Sequence, residues 1–159
     1  MLKTLLKLMD IKTLVAGITP VLLGSVFSFY RFEKFNIPYF ILLIIGVVLI
    51  QSCANMINDL YDYERGTDDK GKADEKALAA GEVSPGVLKI IILAYFLIDV
   101  LIGIFFAIQI HPGFLAVGIG GALIMSLYSA GPPPLSLPPI VLFLPAATMV
   151  FVLLPSFVF

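Results

Sequence analysis

The stretch "IPYFILLIIGVVLIQSCANMINDLYD", residues 37–62, changes character from one end to the other. As far as Ile50 it is apolar and uncharged, which is typical of a helix that crosses a bilayer, since a span needs about 20 apolar residues. From Gln51 onward, amides and carboxylates recur three or four residues apart, at Asn55, Asn58, Asp59 and Asp62. The stretch therefore predicts a membrane helix whose last turns carry a polar face.

The composition of the whole chain agrees with a membrane protein. The chain has 159 residues, 60% of them hydrophobic, and a mean hydropathy of +1.05, whereas a soluble domain is about 45–50% apolar. We predict an all-α integral membrane protein with about five transmembrane helices. The expected spans are residues 13–30, 37–58, 87–108, 114–130 and 140–159, the last interrupted by Pro145 and Pro155.

We expect one membrane domain, 1–159, with three distinct segments outside the regular spans. Residues 1–12 place leucines on one side and lysines on the other, as in an interfacial helix. Residues 59–86 form an aspartate-rich loop, and residues 137–159 form an apolar tail. Lysine or arginine residues precede the first span and lie in the loop, whereas the turn after the third span has none. This asymmetry favours a cytoplasmic N-terminus and a cytoplasmic aspartate-rich loop.

Two residues within the spans are unusual. Cys53 is the chain's single cysteine, which excludes an internal disulfide, and we expect it to be a packing residue. Asp99 lies in the middle of the third span, where a charge costs at least about 2.5–3.5 kcal/mol on insertion scales. Its carboxyl group either faces a cavity or packs against another helix, and the sequence leaves both interpretations open.

Eight of the eleven acidic residues lie between residues 53 and 85, and they need two explanations. The first two, Asp59 and Asp62, share a helical face with Asn55, and that face reaches back into the apolar span. Carboxylate and amide oxygens suit Mg²⁺, which keeps sites for water and substrate phosphates. We therefore predict a metal–diphosphate site on this face. Later acids, such as Glu64 and Glu82, are interpreted as ordinary solvated loop residues.

The segment "NMINDLYDYERGTD", residues 55–68, followed by "ALAAGEVSP", residues 77–85, resembles the first aspartate-rich motif of the UbiA-type membrane prenyltransferases. The resemblance is strongest to the 1,4-dihydroxy-2-naphthoate prenyltransferases of menaquinone synthesis. Residues 12–24, "KTLVAGITPVLLG", are similar to the family's first helix, and residues 127–136, "LYSAGPPPLS", to a segment after its fourth helix. The chain departs from the family at Asp10-Ile11 and Lys76-Ala77, where Arg-Pro is usual.

The resemblance implies a helical bundle around a cavity open to lipid. It also implies Mg²⁺ as cofactor, and a prenyl diphosphate and an aromatic acceptor as substrates, in a bacterial or archaeal cell membrane. By resemblance, the catalytic residues are Asp59 and Asp62, and the metal ligands are Asn55, Asp59, Asp62 and Asp68. The residues that bind the diphosphate are Asn55, Asn58, Lys72 and Lys76, the lysines acting as point charges.

Three interpretations of function remain open at this stage. The resemblance favours prenyl transfer to 1,4-dihydroxy-2-naphthoate, and a family member with another acceptor, such as 4-hydroxybenzoate, is a second possibility. The family carries a second aspartate-rich motif in its other half, and no Asp or Glu follows Asp99 here. We therefore expect the chain to correspond to the N-terminal half of the enzyme. The third interpretation is a non-catalytic half that binds metal–diphosphate or assembles with a partner.

Overall fold

A computed structural model describes residues 2–66, 76–116 and 118–120. Within these ranges every regular element is a helix, which confirms the all-α membrane class. The helices are α1 (Leu2–Met9), α2 (Ile11–Phe32), α3 (Ile37–Arg65) and α4 (Pro85–Gln109). Residues 113–116 and 118–120 are also helical.

Three of these helices, α2, α3 and α4, are long and apolar enough to cross a membrane. They correspond to the first three expected spans, and α2 and α4 extend slightly beyond the expected ends. The expected fourth span is described only over its first residues, 114–116 and 118–120. The expected fifth span and the tail 137–159 lie outside the described residues. Three spans in this part of the chain are compatible with the predicted total of about five.

The second span is longer in the structure than the predicted range 37–58. Helix α3 continues through Asp59 and Asp62 to Arg65, so the loop expected from residue 59 begins at Gly66. The reason is local, because no glycine or proline interrupts the chain between residues 59 and 65. Gly66 then adopts a left-handed conformation, with φ of 68°. Glycine enters this conformation without steric cost, which is why it commonly ends a helix.

The other helix ends follow recognisable capping rules. The Asn36 side chain accepts a hydrogen bond from the backbone N–H of Tyr39 at 3.1 Å and caps α3. Ser84 caps α4 in the same way, accepting from the N–H of Val87 at 3.4 Å. Between α1 and α2, Asp10 has a positive φ of 45° and breaks the helix. The expected interfacial segment is therefore a separate short helix.

Helix α3 occupies the centre of the described part of the fold and packs against α1, α2 and α4. Two apolar clusters hold it. The first cluster lies near the C-terminal end of α3 and connects it with α1, the start of α4 and the residues before α4. Its buried members are Leu8, Met56, Leu60, Ala77, Leu78 and Leu88. The second lies at the opposite end of the bundle and contains Val21, Leu43, Val47, Phe106 and Phe114. The candidate site lies beside the first cluster.

Candidate functional site

The last turns of α3 carry the residues that the sequence predicted for the site. Asn55, Asn58, Asp59 and Asp62 fall within one side of this helix, as their spacing requires. The Asp59 side chain is 17% exposed and that of Asp62 is 47% exposed. The face therefore runs from a mostly buried carboxylate to one that is half in contact with solvent.

Lys76 brings the two carboxylates together. Its Nζ atom lies 2.8 Å from Oδ2 of Asp62, to which it donates a hydrogen bond, and 3.3 Å from Oδ1 of Asp59. The side chains of Lys76 and Asp59 are mostly buried, at 21% and 17% exposed, whereas Asp62 keeps contact with solvent at 47%. Ion pairs of this kind are stronger than fully exposed pairs because solvent screening is weaker. Two carboxylate oxygens on α3 thus converge on the ammonium group of Lys76.

The backbone that carries Lys76 is firmly held. The two residues after it, Ala77 and Leu78, are buried in the first apolar cluster. The Lys76 carbonyl accepts a hydrogen bond from the N–H of Ala80 at 3.0 Å, and the Ala77 carbonyl accepts from the N–H of Glu82 at 2.9 Å. The lysine therefore enters the site from a fixed point on a compact turn.

Asn55 is oriented by contacts with the junction between α1 and α2. Its Nδ2 donates to the Met9 carbonyl at 2.8 Å and to Oγ1 of Thr13 at 2.7 Å. A carbonyl oxygen can only accept, and the Thr13 hydroxyl already donates to the Asp10 carbonyl at 2.9 Å. Both neighbours thus require the amide nitrogen of Asn55 on this side, which settles the orientation of the amide. The Oδ1 atom is left as the acceptor that the side chain can offer to a ligand.

Two acids interpreted from the sequence as merely solvated have specific partners instead. Glu64 lies on α3, not in a loop, and accepts a hydrogen bond from Lys89 of α4 at 2.9 Å. Glu82 pairs with Lys7 of α1. Hydrogen bonds from Lys7 and Thr4 hold the pKa of the Glu82 carboxyl below its usual value. These pairs fasten neighbouring elements around the site.

The donor set on α3 fits a hard divalent cation. Mg²⁺ usually takes one or two protein carboxylates and fills its remaining positions with water and phosphate oxygens. Asp59 and Asp62 supply two carboxylates, and Asn55 supplies an amide oxygen one turn before Asp59. No group of three or more His, Cys, Asp or Glu side chains in a metal-binding arrangement occurs among residues 2–66, 76–116 and 118–120. The predicted ligand Asp68 and the predicted phosphate contact Lys72 lie outside these ranges.

Asp99 packs against α3 deeper in the bundle. Its Oδ1 lies 3.2 Å from the position that a Cβ atom on Gly46 would occupy. The absence of a side chain at Gly46 thus creates the space for the carboxyl group. Of the two interpretations left open by the sequence, this geometry favours packing against another helix. Cys53 is fully buried, as expected for a packing residue.

Two residues that support the site, one at the end of α1 and one in α2, are not predicted by the sequence. Met9 and Thr13 hold Asn55, although 46 and 42 residues separate them from it. The one sequence feature that points to Thr13 is its position in the segment 12–24, which is similar to the family's first helix. The contact of Met9 is made by its backbone, so its side-chain identity carries no signal at all.

The profile of the UbiA prenyltransferase family matches residues 17–157 of this sequence. The chain belongs to the UbiA prenyltransferase family. The match includes α3 with its polar face and Lys76, and it continues beyond α4, whereas the supporting residues Met9 and Thr13 precede it. Together with three apolar helices of spanning length, family membership makes the chain an integral membrane protein.

Two curated relatives of this UbiA-family chain give a finer comparison. It is 28% identical over 128 residues to 1,4-dihydroxy-2-naphthoate octaprenyltransferase of Bacillus subtilis (strain 168), which covers 80% of this chain and 41% of the relative. It is 29% identical over 66 residues to UbiA prenyltransferase domain-containing protein 1 of Dictyostelium discoideum, covering 42% of this chain and 20% of the relative. The chain thus spans less than half the length of these relatives. No solved structure matches it.

Proposed function

We propose that this UbiA-family chain binds a prenyl diphosphate together with Mg²⁺ and contributes to transfer of the prenyl group to an aromatic acceptor. The observation that carries the proposal is the convergence of Asp59 and Asp62 on the ammonium group of Lys76 at the end of a membrane helix. Such a face attracts a divalent cation, and the cation in turn binds phosphate oxygens. The apolar flanks of α3 suit the prenyl chain, which remains in lipid.

Each residue of the site has a defined task in this proposal. Asp59 and Asp62 hold the metal through their carboxylates, and Asn55 offers Oδ1 beside them. When bound, Mg²⁺ supplies Lewis-acid stabilisation of the negative charge on the departing diphosphate. The protein residues position the diphosphate at the membrane boundary. Asn58, Lys72 and Lys76 are assigned to diphosphate contacts and Asp68 to the metal.

The acceptor is proposed from the relative's name. The Bacillus subtilis protein is a 1,4-dihydroxy-2-naphthoate octaprenyltransferase, and the resemblance that the sequence shows is to the same group. We therefore propose 1,4-dihydroxy-2-naphthoate as the acceptor and menaquinone synthesis as the process. Competition between this compound and 4-hydroxybenzoate in a prenyl-transfer assay distinguishes this acceptor from the alternative.

The first test measures Mg²⁺-dependent binding of a radiolabelled prenyl diphosphate to the purified chain in lipid nanodiscs. We expect Asp59→Asn and Asp62→Asn to weaken binding by roughly tenfold or more, because loss of even an indirect partner of a metal ligand typically costs 10–100-fold. Glu64→Gln is the matched control. It removes the same charge from the same end of α3 but from another side of the helix, and its binding should stay within about twofold of wild type.

The outcomes separate the parts of the proposal. Unchanged binding in both aspartate variants would refute the assignment of the site. Binding that depends on both aspartates, without transfer to either acceptor, would support the interpretation of this chain as a binding half. Binding together with transfer to 1,4-dihydroxy-2-naphthoate would establish the whole proposal.

A further inference from the structure

We propose that Lys76 is an exchangeable counter-ion, which holds Asp59 and Asp62 together in the absence of metal and passes to the diphosphate when a divalent cation binds. This inference rests on the proposed function, because it assumes that the two aspartates are metal ligands. It concerns the lysine, which the sequence assigned only to phosphate contact. The structure instead pairs its ammonium group with both carboxylates.

The ammonium group and a metal ion compete for the same oxygen atoms. Lys76 Nζ contacts Oδ2 of Asp62 at 2.8 Å and lies 3.3 Å from Oδ1 of Asp59, so it bridges the two carboxylates. A Mg²⁺ ion shared by them would lie about 2.0–2.1 Å from its oxygen ligands. A divalent cation shared by the two carboxylates and an ammonium group at these distances repel each other, and the repulsion is only partly screened because Asp59 and Lys76 are mostly buried. Metal binding therefore requires the ammonium to leave.

The lysine is well placed to leave without disturbing the fold. Its backbone is fixed by burial of Ala77 and Leu78 and by the hydrogen bond from Ala80 to its carbonyl. Its side chain is a flexible four-carbon stem with a compact charge at the end. The ammonium can move by several ångströms through rotamer changes alone. The backbone of the turn thus stays in place while the ammonium group of Lys76 moves.

The exchange also changes the charge of the site in the direction that a diphosphate requires. Two carboxylates and one ammonium carry a net charge of −1, which repels an anionic substrate. With the divalent cation bound between the carboxylates and the ammonium displaced beside them, the same groups carry a net charge of +1. The diphosphate is then attracted by both the metal and Lys76. The arrangement predicts that metal binds before or together with the diphosphate.

The test compares Mn²⁺ binding to wild type and to Lys76→Met in nanodiscs of neutral lipid, with free Mn²⁺ measured by electron paramagnetic resonance. Mn²⁺ prefers the same carboxylate and water ligands as Mg²⁺. Without diphosphate, we expect Lys76→Met to bind Mn²⁺ roughly tenfold more tightly, because the competing charge is gone. Lys89→Met is the matched control, since it removes an equal charge that pairs with Glu64 instead. Its Mn²⁺ affinity should change by less than about twofold.

A second measurement uses inorganic diphosphate as the probe. Here the Lys76→Met substitution should lower the affinity, whereas it should raise the affinity for Mn²⁺. In the presence of Mn²⁺, Lys76→Met should bind diphosphate roughly tenfold more weakly than wild type, because a direct charged contact is lost. A purely structural role of the lysine would not give tighter metal binding and weaker diphosphate binding in one variant. Lys76→Gln keeps a hydrogen-bond donor without the charge, and it should show both effects if the methionine variant folds poorly.

The results also separate this inference from the proposed function. If wild type binds Mn²⁺ in a manner that depends on Asp59, and the Lys76 variants bind it equally well or more weakly, the exchange is refuted and the metal site stands. If wild type binds no Mn²⁺ at millimolar concentration with or without diphosphate, both the metal site and the exchange are refuted. Tighter Mn²⁺ binding combined with weaker diphosphate binding supports both.

Discussion

At the scale of single residues, Asn55 has two roles that the sequence alone does not separate. Its amide nitrogen is used entirely within the protein, by donation to Met9 and Thr13. Its amide oxygen is directed away from those acceptors and is the atom proposed to contact the ligand. An amide is suited to this position because it offers a donor and an acceptor at once, whereas a carboxylate offers only acceptors.

The chemistry of Asn55 leads to a prediction about Asn55→Asp. Although a carboxylate is a stronger ligand for Mg²⁺, the substitution removes both donated hydrogen bonds and places negative charge against the Met9 carbonyl. We expect the free energy of unfolding to fall by about 2–3 kcal/mol, since half-buried acceptors lose their partner. The apparent midpoint of thermal unfolding should fall by roughly 5 °C or more.

The single cysteine provides the measurement. Cys53 is fully buried, so a fluorogenic maleimide that reacts with thiols reports unfolding in detergent without an added label. Thr13→Val is the control. It removes one of the two acceptors and leaves the other, and its midpoint should lie between those of wild type and Asn55→Asp. A midpoint for Asn55→Asp equal to that of wild type would show that the donated hydrogen bonds contribute nothing.

At the scale of elements, the short helix α1 is fastened over the site by contacts with two other segments. Leu8 is buried against residues of α3 and of the turn that carries Lys76, and Lys7 pairs with Glu82 beyond that turn. The apolar contact is non-directional, whereas the ion pair between Lys7 and Glu82 fixes the position of α1 relative to the turn. Since Met9 and Thr13 flank the junction of α1 and α2, displacement of α1 would also release Asn55.

The ion pair makes the docking of α1 dependent on pH. Interactions with Lys7 and Thr4 lower the pKa of Glu82 below its ordinary value of 4.5. A group whose pKa is depressed by folding contributes stability above its ordinary pKa, and this contribution is lost as the pH falls through the lower, folded value. We expect α1 to remain docked near neutral pH and to loosen only below about pH 4.5. Hydrogen exchange of residues 2–9 measures this opening.

Glu82→Gln is the variant that tests the cause of this pH dependence. Glutamine cannot titrate. The protection factors of residues 2–9, corrected for the intrinsic pH dependence of amide exchange, should therefore be lower at neutral pH and unchanged between pH 6 and pH 3. Glu64→Gln, which alters the neighbouring pair with Lys89, should leave the acid response of α1 unchanged. Acid loosening of α1 that persists in the Glu82 variant would assign the effect to another carboxyl group.

At the scale of the whole molecule, the features predicted correctly from sequence are those with a local signal. The three described spans follow from runs of apolar residues, and the shared face of Asn55, Asp59 and Asp62 follows from their spacing on a helix. Polarity predicts the end of this span at residue 58, whereas α3 continues to Arg65. Backbone conformation, set by the absence of glycine or proline before Gly66, decided the boundary instead.

The contacts that complete the site could not be predicted, because they join residues far apart in the sequence. Lys76 meets Asp62 across 14 residues, and Asn55 meets Met9 across 46. No periodicity in the sequence relates such positions. They are brought together by burial of Leu8, Ala77 and Leu78 in one apolar cluster, and this packing depends on the fold as a whole. The sequence thus placed the proposed site residues on one helical face, but it did not predict their partners.

The arrangement of the spans leads to a last prediction, which concerns the two sides of the membrane. Helices α2 and α3 lie between Lys3 and Ala80, so the chain crosses the bilayer twice between them and both residues must lie on the same side. The contact of Lys7 with Glu82 requires the same result. Lys34, in the turn between α2 and α3, must lie on the opposite side, where Tyr39 packs against Phe106 at the far end of α4. The distribution of lysine and arginine favours the cytoplasm for Lys3 and Ala80.

Cysteine labelling in a Cys53→Ser background tests this arrangement. Lys3→Cys and Ala80→Cys should react with a membrane-impermeant maleimide in inverted membrane vesicles. Lys34→Cys should react with the same reagent in protoplasts or spheroplasts, in which the outer face of the cell membrane is accessible. The unsubstituted Cys53 chain is the control and should react in neither preparation, because its thiol is buried. Labelling of Lys3→Cys and Ala80→Cys from opposite sides would contradict the fold itself. Labelling of both from the outside would preserve the fold and reverse the orientation, which would place the diphosphate site on the face of the membrane opposite to the one that the charge distribution favours.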